Sequence, residues 1–485
     1  MLKNKKWQFL SGLLLASTLI LGACSSDDGE DPAVDSTPTD NTSSSETVNT
    51  EMEEMTTEDI TLTYASWANA DFNRFLADKF TEKYPNITVE IVAVDQEVWN
   101  DGLTNLASAG QLPDVFWYQG NVDVPLINGW LGDLTPYWEA DPETEDVLVT
   151  IKDQGYFDGK TKQAAAVAYQ PFTIFLDENL FNAQNMAMPS ADWTYSEMTD
   201  LMEAMTIPEQ GIFGYNTYTL PLTMAPVVQD DAWGEFGWDG ETYDLTGQWA
   251  EAAQMQADYI QQGVHVPQFD TDEAEAAFGD RLLWAASSGK LAMQLDAWWT
   301  MGLFATPEFV DKGINFVPYP VPQGDNAETL HKPAFVDFGS ISAVSEHPRE
   351  AYELLKFMGW GLEGWETKIE GFKTLTNEAG DPLFTMPDGL PLIQNEAIWD
   401  EVAALLPQTN YVTDSLARMK EPIPLGGASQ PGFQTFLEEV YFGGEYGNVE
   451  QAIISGEVSA ADVAPNLTEM INRYRDEAMT TIFNQ

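Results

Sequence analysis

The chain has 485 residues, 78 acidic against 21 basic side chains, a formal net charge of −57 and a single cysteine. That balance makes nucleic acid and anionic lipid surfaces poor partners, and one cysteine leaves no intrachain disulfide to form. The length exceeds what one core usually holds, so two lobes are expected, with 44% apolar residues to fill them.

At the N-terminus, Lys3, Lys5 and Lys6 precede an apolar run from Phe9 to Leu21. The run is shorter than the roughly 20 residues a spanning helix needs. It ends in Leu21-Gly22-Ala23-Cys24, which resembles a bacterial lipobox. The resemblance implies a lipoprotein signal peptide over 1–23, with Cys24 becoming an acylated, palmitate-type N-terminus outside the cytoplasm. Without its three lysines the chain keeps 18 basic against 78 acidic residues, a net charge of −60. Such spread acidity suits a salty or alkaline exterior, where screening relieves self-repulsion.

Residues 24–58 read as a disordered acidic Ser/Thr linker. From Ser25 to Glu58 there are 11 Asp or Glu, 13 Ser or Thr, and no Lys, Arg or aromatic residue. So little apolar surface cannot offset ordering entropy. A free chain of this length spans about 30 Å, enough to hold a body just above a membrane.

The body opens with alternating strand and helix patterns. Ile60-Thr61-Leu62-Thr63-Tyr64 alternates, and Phe72, Phe75, Leu76 and Phe80 recur at helical spacing until Tyr84-Pro85-Asn86. Ile87, Val89 and Ile91 predict a second strand. Trp99, Leu103 and Leu106 predict a helix stopped by Gly110, and Val115-Phe116-Trp117 a third strand. Strand–helix repeats of this length imply an α/β fold with a parallel sheet, and ligands bind beyond the carboxyl ends of such strands. Trp67, Asn69, Tyr118 and Asn121 fall there.

These stretches carry a family resemblance. "ITLTYASW", "FLADKFTEKYPNITVEIV" and "LTNLASAGQLPDVFWYQG", followed by "AVAYQPFTIFLDENLFNAQNM", "SSGKLAMQLDAWWT" and "FVDFGSISAVSEHPREAYELLKFM", resemble the extracellular solute-binding proteins of carbohydrate ABC transporters, the group that includes maltodextrin-binding proteins. The likeness runs from residue 60 onward. It implies a two-lobed periplasmic-binding-protein fold with interleaved lobes, a three-segment hinge and a sugar in the cleft. The crossovers are expected at Pro171 in "AYQPF", Asp296 in "QLDA" and Gly339 in "DFGS". Lobe 1 is then 59–169 plus 297–338, and lobe 2 is 170–296 plus 339–485.

A pyranose has an apolar C–H face and a rim of hydroxyls, so its site needs aromatic platforms ringed by carboxylates and amides. Two large aromatics directly after a hinge strand, Trp298 and Trp299, cannot both enter one core. By the resemblance, Trp298 occupies a sugar-stacking position and Tyr118 another. Asn121 lies where relatives often place an acid, and Gln170 where they often place Glu. Trp67, Asn69 and Asp71 occupy the first strand–helix loop, and Asp296 the hinge strand. In the second lobe the loop "QDDAWGEFGWDGETY" offers Trp233 or Trp238, against the plainer reading of a surface loop pinned by one buried tryptophan. Phe433 in "SQPGF" is a further candidate.

The expected role is a lipid-anchored, monomeric binding subunit that captures a carbohydrate and hands it to ABC permease subunits, with no cofactor, metal or nucleic acid. Three histidines, no H-E-x-x-H, no phosphate-binding glycine loop and no G-x-S-x-G elbow argue against an enzyme. A surface-anchored glycoside-active enzyme stays open, since it needs only two carboxylates. So does a carrier of a cationic solute such as a polyamine. An adhesin would bring repeats or sandwich strands, and neither is seen.

Overall fold

The alternation in Ile60-Thr61-Leu62-Thr63-Tyr64 becomes strand β1 (Ile60–Ala65), with Leu62 and Tyr64 buried. Asn69 caps the next helix, Ala70–Lys83, accepting the N–H groups of Asp71 and Phe72 at 3.0 and 3.2 Å. That helix buries Phe72, Leu76 and Phe80 and returns the chain to β2 (Ile87–Ile91), parallel to β1. A second helix, Trp99–Ser108, leads to β3 (Val115–Tyr118), parallel to β1 on its other side. The structure is a computed structural model that describes residues 52–483, except 119–121, 218–223, 230–233, 267–274, 276–277, 279–283, 327–332, 378–379, 385, 388, 421–422 and 425. All described residues belong to the unit Thr50–Gln485.

Strand β4 (Ala165–Asp177) organises the rest. Its sequence, AAVAYQPFTIFLD, is apolar nearly throughout, as expected of a strand covered on both faces. Ala165–Pro171 pair antiparallel with β9 (Pro333–Ile341), which also pairs with β3. From Phe172 onward the partners change to β7 (Leu291–Ala297) and β8 (Phe316–Pro320). Beyond β7 lie β5 (Phe213–Thr217) and β6 (His265–Val266), both parallel. The order is β2-β1-β3-β9-β4-β7-β5-β6, with β8 beside β4 and β10 (Ile423–Pro424) beside β9. One strand therefore belongs to two sheets, and each sheet is the centre of a lobe.

The pairing corrects the expected lobe boundaries. Segment 297–338 is expected in the first lobe, yet β8 within it pairs with the second half of β4. The helices at 348–404 are expected in the second lobe. Helix Pro348–Met358 instead packs on β9 and β3, and helix Leu362–Thr374 on Ala70–Lys83, with Phe372 stacked on Phe72 at 5.0 Å. Two of the three crossovers move accordingly. Pro171 lies at the first, where β4 changes partners. The second falls between β8 and β9. The third follows helix Glu396–Ala404, before Asn410–Met419 packs on β8.

Asp296 and Gly339 are not hinge residues: Asp296 faces Thr173 inside the second sheet, and Gly339 pairs with Trp117 and Ala165 inside the first. Gly339 is required by close packing, since a Cβ there would sit 2.8 Å from Leu355 Cδ1 and Val167 Cγ1.

The end of the segment expected as linker, residues 52–58, is instead part of the folded body. Residues 52–58 lie on the first lobe: Arg349 donates to the Glu53 carbonyl, Asn86 to those of Thr56 and Glu58, and Met52 and Met55 pack on the core.

Helices Gln248–Gln262, Val449–Ile454 and Ala460–Phe483 add a helical layer to the second lobe. Trp249, Phe436, Tyr441 and Leu467 lie in its core. Opposite the sheets, the carboxylate of Asp123, in helix Asp123–Ile127 of the first lobe, accepts the Gly432 N–H at 2.9 and 3.0 Å. It is a second bridge between the lobes, besides the strands.

Candidate functional site

A cavity of about 910 Å³ opens where β4 changes partners, walled by both lobes. From the first lobe come Trp67 and Trp117, held edge to face at 5.1 Å, with Trp99 behind them at 5.2 Å from Trp67 and its Nε1–H fixed on the Trp117 carbonyl. From the second lobe comes Trp299, 40% exposed and stacked at 5.7 Å and 16° on Phe335 of β9, with Trp284 beyond it. Gln170 sits between the two groups, on the β4 residue paired with Phe335.

The charged members of the wall are Asp296, Asp337 and Lys368. Asp296 accepts the Ala297 N–H at 2.7 Å, and burial lifts its carboxyl to about 6. Asp337, mid-strand in β9 opposite Ala168, is lifted to about 7 by burial alone. The Lys368 ammonium donates to the Gly359 carbonyl at 2.9 Å and lies 4.5 Å from the Trp365 ring centre. Flat aromatic faces flanked by carboxylates and amides match the two chemistries of a sugar ring.

Of the residues expected at the site, Trp67, Asn69, Gln170, Asp296 and Trp299 line the cavity. Asn69 does so with its side-chain oxygen already engaged as the helix cap. Asn121, Trp233 and Cys24 lie outside the described residues.

The others belong elsewhere. Trp298 is 0% exposed and packs in the core with Met301 and Phe304. The strand ends at Ala297, so the turn that follows sends Trp298 inward and Trp299 outward. Tyr118 is buried behind the wall, stacked on Phe338 at 5.9 Å. Asp71 is exposed and pairs with Arg74 at 2.7 Å. Trp238 and Phe433 are core residues of the helical layer: Trp238 packs on Tyr243 beneath the Arg475 guanidinium, and Phe433 on Phe236.

Sequence reasoning missed Trp117, Trp284, Phe335, Asp337, Trp365 and Lys368. Asp337 had a usable signal, a lone acid inside the apolar strand PAFVDFGSI. Among the described residues no group of three His, Cys, Asp or Glu could hold a metal ion, and no helix is long and apolar enough to cross a membrane.

Comparison with known proteins agrees with this architecture. No curated protein matches the sequence. Solved structures share the fold. An ABC substrate-binding protein from Listeria monocytogenes, solved with cycloalternan, is 18% identical, with 86% of this chain and 99% of that chain covered and a TM-score of 0.63. A receptor from Streptomyces glaucescens, described unliganded and with acarbose, is 17% identical over 86% and 99%, with a TM-score of 0.60. A solute-binding protein from Thermotoga lettingae bound to α-D-tagatose is 15% identical over 85% and 99%, with a TM-score of 0.62. The family model of the bacterial extracellular solute-binding proteins matches residues 64–359, more than half of the chain. The chain belongs to the bacterial extracellular solute-binding proteins.

Proposed function

We propose that this protein is the lipid-anchored binding subunit of an ABC importer, capturing a sugar or oligosaccharide between its lobes and delivering it to the permease. The observation that carries the reading is the cavity itself: Trp67 and Trp117 on one lobe and Trp299 on the other, with Gln170, Asp296 and Asp337 between them. Its volume of about 910 Å³ is near the upper end of small-molecule sites. Aromatic planes take the C–H face of a ring while carboxylates and amides accept and donate around its rim. The ligands named for the structural neighbours (cycloalternan, acarbose and tagatose) point to the same class.

Tethering follows from Cys24 and the acidic segment behind it. A monomer held by a lipidated Cys24 and some thirty residues of linker reaches a permease in the same membrane. Cys24→Ser should release the mature protein from membranes or leave it unprocessed, and a variant that fractionates and migrates like the parent refutes the anchor.

The carbohydrate role is tested by calorimetry across mono-, di- and oligosaccharides, with product analysis of the same mixtures. Saturable binding with the sugar recovered intact supports a carrier. Turnover of the sugar would reassign the protein as a glycoside-active enzyme.

A further inference from the structure

The cavity contains a carboxylate without a counterpart. Lys368 is already held by the Gly359 carbonyl and the Trp365 ring. Asp296 has the Ala297 N–H. Asp337 has neither a hydrogen bond nor an ion pair among the described residues, although it lies mid-strand with only protein and cavity around it. Asp337 is half-buried and its carboxyl meets the cavity rather than another side chain, so a ligand that fills the cavity takes the place of the water on it. A neutral ring closing over Asp337 would supply hydroxyls but no charge, and the carboxyl would be held in its protonated form. A cation bearing N–H groups supplies donors and charge together, and the faces of Trp67 and Trp117 on the same lobe attract cations further.

The two acids are also well separated. Asp337 pairs with Ala168 and Asp296 with Thr173, five residues apart on β4, or roughly 16 Å along the strand. They act on different parts of a ligand, one from each lobe. Asp296, already holding a backbone N–H, is suited to hydroxyls. Asp337 is the site left for a full positive charge. The net charge of the chain attracts cationic solutes toward the cleft in any case.

We propose that the captured saccharide carries a protonated amine seated against Asp337, placing the ligand among amino sugars and amine-bearing oligosaccharides. The inference rests on the carbohydrate reading above and narrows it.

The test is calorimetry on the mature protein at neutral pH with three disaccharides of one frame: the glucosamine dimer, its N,N′-diacetylated form and cellobiose. The free-amine dimer should bind at least about tenfold tighter than the other two and should lose affinity with added salt, while the neutral pair does not. Asp337→Asn, nearly isosteric and checked by its melting temperature, should abolish the preference for the amine over the neutral pair. Neutral sugars that bind as tightly as the amine, or an amine preference unchanged in Asp337→Asn, overturn the inference and leave the carbohydrate role standing. Failure of every saccharide to bind, with spermidine binding instead, overturns the carbohydrate role itself.

Discussion

Two adjacent tryptophans should respond to the same substitution in opposite ways. Trp299 is 40% exposed on the cavity wall, while Trp298 is 0% exposed in the core. An indole carries up to about 250 Å² of surface, so Trp299 offers a ligand about 100 Å² of apolar face. At roughly 25 cal/mol per Å² that is about 2.5 kcal/mol, or nearly two orders of magnitude in affinity. Trp299→Ala should therefore weaken the best sugar by about 1–3 kcal/mol and cost little stability beyond the Phe335 stack, about 1 kcal/mol. Trp298→Ala empties a site among Met301 and Phe304 and should cost about 3–5 kcal/mol of stability. Calorimetry and urea unfolding on both variants separate the two losses. Unchanged affinity in Trp299→Ala together with a folded, weakly binding Trp298→Ala would refute the placement of both rings.

Asp296 is lifted by burial to about 6, and Asp337 and Glu450 to about 7, so the folded state keeps protons that the unfolded chain releases above about pH 4. The ligand-free protein should thus lose stability as pH rises from about 4 to 7. Its melting temperature should fall over that range, less steeply in Asp337→Asn and Glu450→Gln, and a parallel fall in both variants would clear these groups. Gly339→Ala should cost about 1–3 kcal/mol by overpacking against Leu355 and Val167. Altered ligand affinity at full stability would instead make that glycine a hinge. Asp123→Ala removes the acceptor that ties Gly432 to the first lobe, so the free protein should show a larger radius of gyration in solution scattering and weaker ligand binding. An unchanged radius and affinity would show that the bond does not hold the lobes together.

Local pattern was legible in this sequence, and long-range address was not. The change from two-residue to helical periodicity marked β1, β2, β3 and the helices between them, because each of those signals lies within a dozen residues. Nothing comparable tells which sheet the helix Pro348–Met358 will cover. Its apolar face fits any sheet, and its position is decided by β9, β3 and neighbours such as Phe372 against Phe72. Trp238 and Phe433 look like platforms in isolation, yet they fill one core because distant segments meet there. The resemblance placed the stacking ring at Trp298, one residue short of Trp299, because a single step beyond the strand end exchanges inside for outside.

The placement of β4 explains why the site stands where it does. A strand bonded on both sides resists bending, except where its partners change. That change falls between Pro171, paired with Ala334, and Phe172, paired with Ala297. Proline has no N–H to lose from a ladder, and its carbonyl takes the Trp298 N–H at 3.0 Å, so the junction tolerates rotation without orphaning a backbone group. Gln170, Phe335 and Trp299 surround this junction. Were the lobes to turn about it, Trp67, Trp117 and Asp337 would move with the first sheet, and a ligand resting on Trp299 would meet them as the cleft narrows. Interactions that a ligand makes with the closed arrangement alone are the differential affinity that closure requires.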